Sequence, residues 1–281
     1  MQRSCALSAT GNTDLDMVIT PVIAILAALS GIGVGFVLGL IGGGGSILAL
    51  PLLVYVVGMP SVHIAIGTSA AAVALNAMAS LVAHARRGNV KWACAGVFAA
   101  AGIAGALAGA QMGKAFDGQK LLALFGMVMI LVGANMLRGQ SAGAGGEVRL
   151  TWDNAAAMVP KLLGIGFGVG LMSGFFGIGG GFLIVPGLML ATGMALSNAV
   201  GTSLVAVSAF GLSTAGSYAY SGLIEWKVGA LVVAGGVVGA FAGTAASAWL
   251  GKKKRALSLV FAAIVIIVGL FIVARGVNAF F

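Results

Sequence analysis

Two glycine runs carry the chemistry most readily available to this chain: Gly42-Gly43-Gly44-Gly45-Ser46 and Gly177-Ile178-Gly179-Gly180-Gly181. Each follows a long apolar stretch and precedes a short apolar segment with one proline, Pro51 or Pro186. Consecutive glycines make a poor continuous helix, at about 1 kcal/mol each relative to alanine. A break that opens a new helix leaves backbone N–H groups unpaired and aimed by the helix dipole, a cluster suited to an anion. The competing role is a tight helix crossing with no ligand. Thr68-Ser69 and Thr202-Ser203 follow the two short segments and would add hydroxyl donors. Their alternative is a bond to their own helix backbone. Asn76, deep in an apolar run, either faces a ligand or bonds another helix. Ser173, just ahead of the second run, is a weaker candidate. The expected binding set is Gly42, Gly43, Gly44, Gly45, Ser46, Thr68, Ser69, Asn76, Gly177, Gly179, Gly180, Gly181, Thr202 and Ser203.

Other chemistries lack their parts. A serine nucleophile needs a base within hydrogen-bond reach, yet His63 and His84 both belong to the half of the chain opposite Ser173. His63 reads as a loop or helix-start residue, and His84, beside Arg86 and Arg87, as one facing the aqueous boundary. Cys5 and Cys94 have no metal spacing and make no disulfide framework; Cys94 reads as a small packing residue. The glycine patterns sit between apolar helices and not between a strand and a helix, which fails the context of a dinucleotide fingerprint. No catalytic residue, metal or cofactor is expected, and the chain does not read as an enzyme.

The elements that position these residues are written in the composition. Hydrophobic residues make up 60% of the chain and charged residues only 7%, against about 25% charged in soluble domains. No Asp, Glu, Lys or Arg occurs between Asp16 and Arg86, or between Lys161 and Glu225. Each gap holds two or more helices of roughly 20 apolar residues, the length that spans a bilayer. The formal charge of +9 would suggest nucleic acid in a soluble protein. Here the basic residues fall in short loops, Arg86, Arg87 and Lys91 in one and Lys252, Lys253, Lys254 and Arg255 in another. That is the positive-inside pattern of cytoplasmic loops, so the expected partner is a lipid bilayer and not nucleic acid. The apolar run beginning at Met17 is too long for the core of a cleaved signal peptide and reads as a first span.

The sequence is also a tandem duplication. Gly31, Gly33, Gly35 and Gly39 recur 135 residues later as Gly166, Gly168, Gly170 and Gly174. Gly42, Gly44, Gly45 and Pro51 become Gly177, Gly179, Gly180 and Pro186. At an offset of 134, Gly67-Thr68-Ser69 becomes Gly201-Thr202-Ser203, Gly88 becomes Gly222, and Trp92 becomes Trp226. The expected organisation is a polar segment 1–16, a first transmembrane repeat 17–138, a polar linker 139–160 and a second repeat 161–281. Within the repeats, helices are expected at about 17–40, 61–85, 91–112 and 119–138, then 161–176, 196–220, 227–250 and 256–275. The short segments 47–57 and 182–192 rise only about 17 Å against a hydrocarbon core of roughly 30 Å, so re-entrant and broken-span readings both stand. The fold class is thus an all-α polytopic membrane protein with about eight full spans plus two short Gly-broken segments. The two basic loops are not repeat equivalents, and both reach the cytoplasm only if the halves are inverted, an arrangement recurrent in transporters. Glycines spaced by four, as in Gly31, Gly35 and Gly39 or Gly105, Gly109 and Gly113, read as close helix packing.

The duplicated pattern resembles the TauE/SafE sulfite exporter family, also called the toluene sulfonate uptake permease family. It is carried by Gly-x-Gly-Gly-Gly, a proline a few residues on, Gly-Thr-Ser about 15 residues later, and a Trp after a glycine-containing loop. The resemblance covers residues 20 to 275. It implies a bacterial inner-membrane protein of about eight spans that moves sulfite, sulfonates or related organic anions. Ser46 stands where the second copy has Gly181, so the two glycine sites need not be equivalent. The expected function is a secondary transporter, an exporter or permease, of a small anion; the alternative is a passive anion or small-solute channel. Carboxylates, the usual parts of proton and sodium relays, lie only near span ends or in loops. A coupling proton and the oligomeric state are left open.

Overall fold

The computed structural model describes residues 20–41, 43–137, 152–177, 181–249 and 254–276, and these form helices joined by short turns, with no strand among them. The first half holds α1 (Pro21–Ile41), the short α2 (Gly45–Val56), α3 (Val62–Arg86), α4 (Trp92–Ala115) and α5 (Gly118–Leu137). The second holds α6 (Trp152–Phe176), α7 (Gly181–Thr192), α8 (Leu196–Tyr220), α9 (Trp226–Trp249) and α10 (Lys254–Gly276). Eight of these helices are long and apolar enough to cross a membrane, and α2 and α7 are the shorter apolar ones. The bounds follow the expected ones closely except at α6. That helix starts at Trp152, inside the expected linker, and carries Pro160 internally. The polar N-terminal segment, most of the linker, and Gly42, Ile178, Gly179 and Gly180 lie outside the described residues.

Local chemistry explains where the helices stop. Gly88 and Gly222, with φ of +71° and +69°, close α3 and α8 in the left-handed conformation that glycine adopts without steric cost. Asp117 caps the start of α5, its carboxylate accepting the amides of Gln119 and Lys120 at 3.0 Å. α2 is not a regular helix: Gly43–Leu48 winds as a 3₁₀ stretch and Leu52–Val56 as a π turn.

The glycines determine how the halves meet. A side chain at Gly31, Gly35 or Gly39 of α1 would strike the backbone of Val232, Gly236 or Ala240 of α9. Side chains at Gly105, Gly109 and Gly113 of α4 would strike Phe167, Leu171 and Phe175 of α6. These are the most extensive helix contacts in the molecule, and both cross between halves. Lipid tails are as apolar as leucine, so close backbone approach replaces the hydrophobic effect as the drive for association.

The same contacts give directions. Residue numbers rise together along α1 and α9 and along α4 and α6, so each pair is parallel. Thr68 meets Gly229 and Asn76 meets Gly236, so α3 runs parallel to α9 as well. Gly102 meets Phe210 and Gly113 meets Tyr218, so α4 runs parallel to α8. By contrast Gly67 of α3 lies at Tyr218 of α8, while Gly211 lies at Ala70 and Ala74. Gly126 of α5 meets Gly269 of α10, whereas Gly133 meets Ala262 and Ile266. Equivalent helices α3 and α8, and likewise α5 and α10, are therefore antiparallel, the packing that an inverted repeat requires. Because α1 and α3 point the same way, α2 and its flanks return the chain from the end of one to the start of the other. α7 does the same between α6 and α8.

Candidate functional site

The Gly-Thr-Ser motifs tie one half to the other. Thr68 Oγ1 accepts a hydrogen bond from the backbone N–H of Glu225 at 3.0 Å, and Thr202 Oγ1 accepts one from Lys91 at 3.0 Å. Glu225 and Lys91 immediately precede α9 and α4, where amides have no partner within the helix. Gly67 and Gly201 let the loops close in, because a Cβ there would meet the carbonyls of Leu223 and Asn89. Glycine thus admits the partner loop and threonine holds it, twice, in equivalent positions. Both threonines are fully buried.

Ser69 links this clamp to a glycine break. Its hydroxyl lies 2.9 Å from the Ile66 carbonyl, one turn back, and 3.3 Å from the Gly177 carbonyl in the other half. Gly177 adopts φ +66° with the Ile66 side chain against it. Ser203 donates to the Val200 carbonyl at 2.8 Å, and the break that would complete the equivalent contact includes Gly42, outside the described residues. In the first run, a Cβ at Gly45 would collide with the backbone of Val37 and Leu38, so the chain folds back directly onto α1. Ser46 is fully buried. The stretch Gly43–Leu48 packs on α7, which brings the two short segments together. Gly43 and Gly44 belong to that stretch, and Gly181 opens α7 and is buried.

Asn76 has a different setting. It is fully buried near the middle of α3, in the notch that Gly236 leaves on α9. Neither its Nδ2 nor its Oδ1 has a hydrogen-bond partner among the described residues. An unpaired buried amide costs about 1–3 kcal/mol on mutational scales, so such a group in a packed interior calls for an explanation. Ser80, Ser173, Thr214 and Tyr218 also bury unpartnered oxygens. Ser80, Thr214 and Tyr218 belong to no motif visible in the sequence. Ser80 and Thr214 occupy one repeat position at the offset of 134, and that coincidence was the available signal.

The histidines divide. His63 Nε2 lies 3.1 Å from the Phe116 carbonyl and 3.3 Å from that of Gly113, tying the start of α3 to the end of α4. His84 corrects the expectation of an aqueous-facing residue: it is only 6% exposed, on the buried side of a helix end where Val82 and Arg86 stay exposed. Lys114 donates to the Ser217 carbonyl at 3.2 Å and Ser221 Oγ at 3.0 Å, with its ammonium 5.8 Å from the Tyr218 ring centre. These contacts fasten helix ends.

The sulfite exporter TauE/SafE family matches residues 27–272, nearly all of the helical bundle. The chain belongs to this family. A probable membrane transporter protein of Xylella fastidiosa strain Temecula1 is 48% identical over 86% of this chain and 92% of its own length. The probable membrane transporter protein YunE of Bacillus subtilis is 25% identical over 90% of this chain and 98% of its own. No solved structure matches. This TauE/SafE protein is accordingly a multi-pass membrane transporter, and its duplicated glycine breaks and Gly-Thr-Ser clamps sit where its two halves interlock.

Proposed function

We propose that this TauE/SafE protein is a secondary transporter of a small sulfur oxyanion, sulfite or an organosulfonate, in a bacterial inner membrane. The observation that carries the reading is the interlock of the two glycine-broken segments: each returns the chain across its half, and the two pack on each other. Irregular backbone at such depth is tolerated where it is enclosed by protein or lines a cavity, and paired broken segments at a repeat interface are the usual setting of a transporter's site. The family description and the names of the relatives support transport, and the sulfite in the family description supports the substrate class.

Charge supports an orientation. α3 and α9 end on one face, and the sequence there and just after carries Arg86, Arg87 and Lys91 and the run Lys252 to Arg255. α5 begins beside Val62 and His63 at the start of α3, so it ends on that same face. The positive-inside rule makes this face cytoplasmic, with the start of α1 and the end of α10 outside. The test is flux in proteoliposomes loaded separately with sulfite, thiosulfate, sulfoacetate and sulfate. Saturable, trans-stimulated flux of one of them is expected. Gradient-independent conductance would instead indicate a channel, and no flux from folded protein would remove the substrate class.

A further inference from the structure

The repeat places different side chains in two equivalent notches. Gly236 of α9 lies between Gly35 of α1 and Asn76 of α3; its counterpart Gly102 of α4 lies between Gly170 of α6 and Phe210 of α8. The geometry is duplicated and the chemistry is not. Phe210 is fully buried and stacks on Phe98, with ring centres 6.0 Å apart. Asn76 is equally buried and leaves both ends of its amide unpaired. One helical turn along the same face, the Ser80 hydroxyl is buried and unpaired too. A buried, unpaired hydroxyl lies one turn along in both notches, Thr214 beside Phe210 and Ser80 beside Asn76. What differs is the filling, an apolar ring in one and an amide with an unspent donor and acceptor in the other.

These groups define the ligand's chemistry. The amide supplies N–H donors and one carbonyl acceptor, and the serine supplies one donor and an acceptor. A fully deprotonated dianion has only acceptors and would leave the Asn76 carbonyl facing negative charge. It would also need a counter-charge. The elements packed on α3 are α1, the short α2 segment, α5, α8 and α9. Their ionisable residues among those described, counting the residue next to each helix start, are Tyr55, Asp117, Lys120, Tyr218, Tyr220, Glu225 and Lys227, with His63, His84, Arg86 and Arg87 on or closing α3. All of these lie toward element ends, away from the level of Asn76. A monoanion that keeps one acidic proton fits instead: its O–H donates to Oδ1 while its oxygens accept from Nδ2 and Ser80.

Resting on the transporter reading above, we propose that Asn76 and Ser80 contact the substrate and select a monoprotonated oxyanion, hydrogensulfite in its O–H form. Each transported anion then carries its own proton, and the spans need no carboxylate relay. Methanesulfonate, which has no acidic proton at working pH, fits poorly.

The test uses the full chain in proteoliposomes, with protein-free vesicles as the background and radiolabelled sulfite and methanesulfonate as probes. At constant total sulfite, the initial rate is expected to fall with rising pH toward a slope of about tenfold per unit, following the protonated fraction. Methanesulfonate should move at least roughly tenfold more slowly, and Asn76→Leu should lower sulfite flux by about the same factor, the loss expected when a polar contact to substrate is removed. A sulfite rate that is flat or rises with pH, or methanesulfonate moving as fast as sulfite, would overturn the proton-carrying site while leaving the transporter reading in place. Wild-type flux in a well-folded Asn76→Leu protein would overturn it as well. If neither anion moves through folded wild-type protein, both readings fail together.

Discussion

The notches at Gly236 and Gly102 are the same piece of architecture built twice, and they show how a duplicated membrane protein becomes functionally asymmetric. In each, three helices approach so closely that a glycine is needed on the central one, and in each a side chain from the third helix fills the space that the glycine leaves. Phe210 fills it with a ring that stacks on Phe98; Asn76 fills it with an amide that no described residue satisfies. The backbone frame tolerates either, because helix-to-helix backbone contact sets it and the filling side chain does not. Duplication therefore preserves the frame while the filling is free to become a site on one side and a packing element on the other.

The comparison can be broken at the frame first. Gly35→Leu or Gly109→Leu should abolish folded protein, since the new side chain meets partner backbone that has nowhere to move, whereas Gly33→Leu, with open space around it, should be silent. Fluorescence-detected size exclusion after membrane extraction separates these outcomes. The next largest effect should come from the fillings. Phe210→Ala should cost about 3–5 kcal/mol of stability through the cavity it leaves, read as a lower midpoint of thermal unfolding. Asn76→Leu should lower transport and leave that midpoint unchanged or higher, because an unsatisfied amide is removed. Equal destabilisation by both would dissolve the asymmetry. Smaller and matched effects are expected at the clamps: Thr68→Val and Thr202→Val should each cost about 1 kcal/mol as lost helix-start partners, with recovery in the Thr→Ser variants. The smallest should be Ser203→Ala, at about a few tenths of a kcal/mol, since its hydroxyl bonds to its own helix. Ser69→Ala should exceed it, because Ser69 also reaches Gly177.

Much of the fold was legible because it is encoded locally. Apolar length marks the spans, and glycines such as Gly88 and Gly222 mark helix ends through a backbone conformation that other residues resist. The duplication was legible as fixed offsets between glycines. The Gly-Thr-Ser motif was visible as a motif, but the role the structure gives its threonines was not: Thr68 and Thr202 hold the amides of Glu225 and Lys91. Those partners lie 157 and 111 residues away along the chain, and no local pattern names them. The start of α6 was misjudged because Asp153, Asn154 and Pro160 read as linker, although the apolar and alanine residues between them continue the helix.

The sequence by itself determined the solvent, the repeat and most of the places where helices begin and end, the start of α6 apart, since hydrophobicity, charge position and glycine conformation act on neighbouring residues. Its basic loops also argued for inverted halves. Only the tertiary structure decided that the short segments return the chain, that each half's first helix packs on the other's fourth, and that Asn76 and Phe210 fill equivalent notches. Those are choices of partner between distant surfaces, made by which small residues allow backbones to touch, and they exist only once the two halves have interlocked.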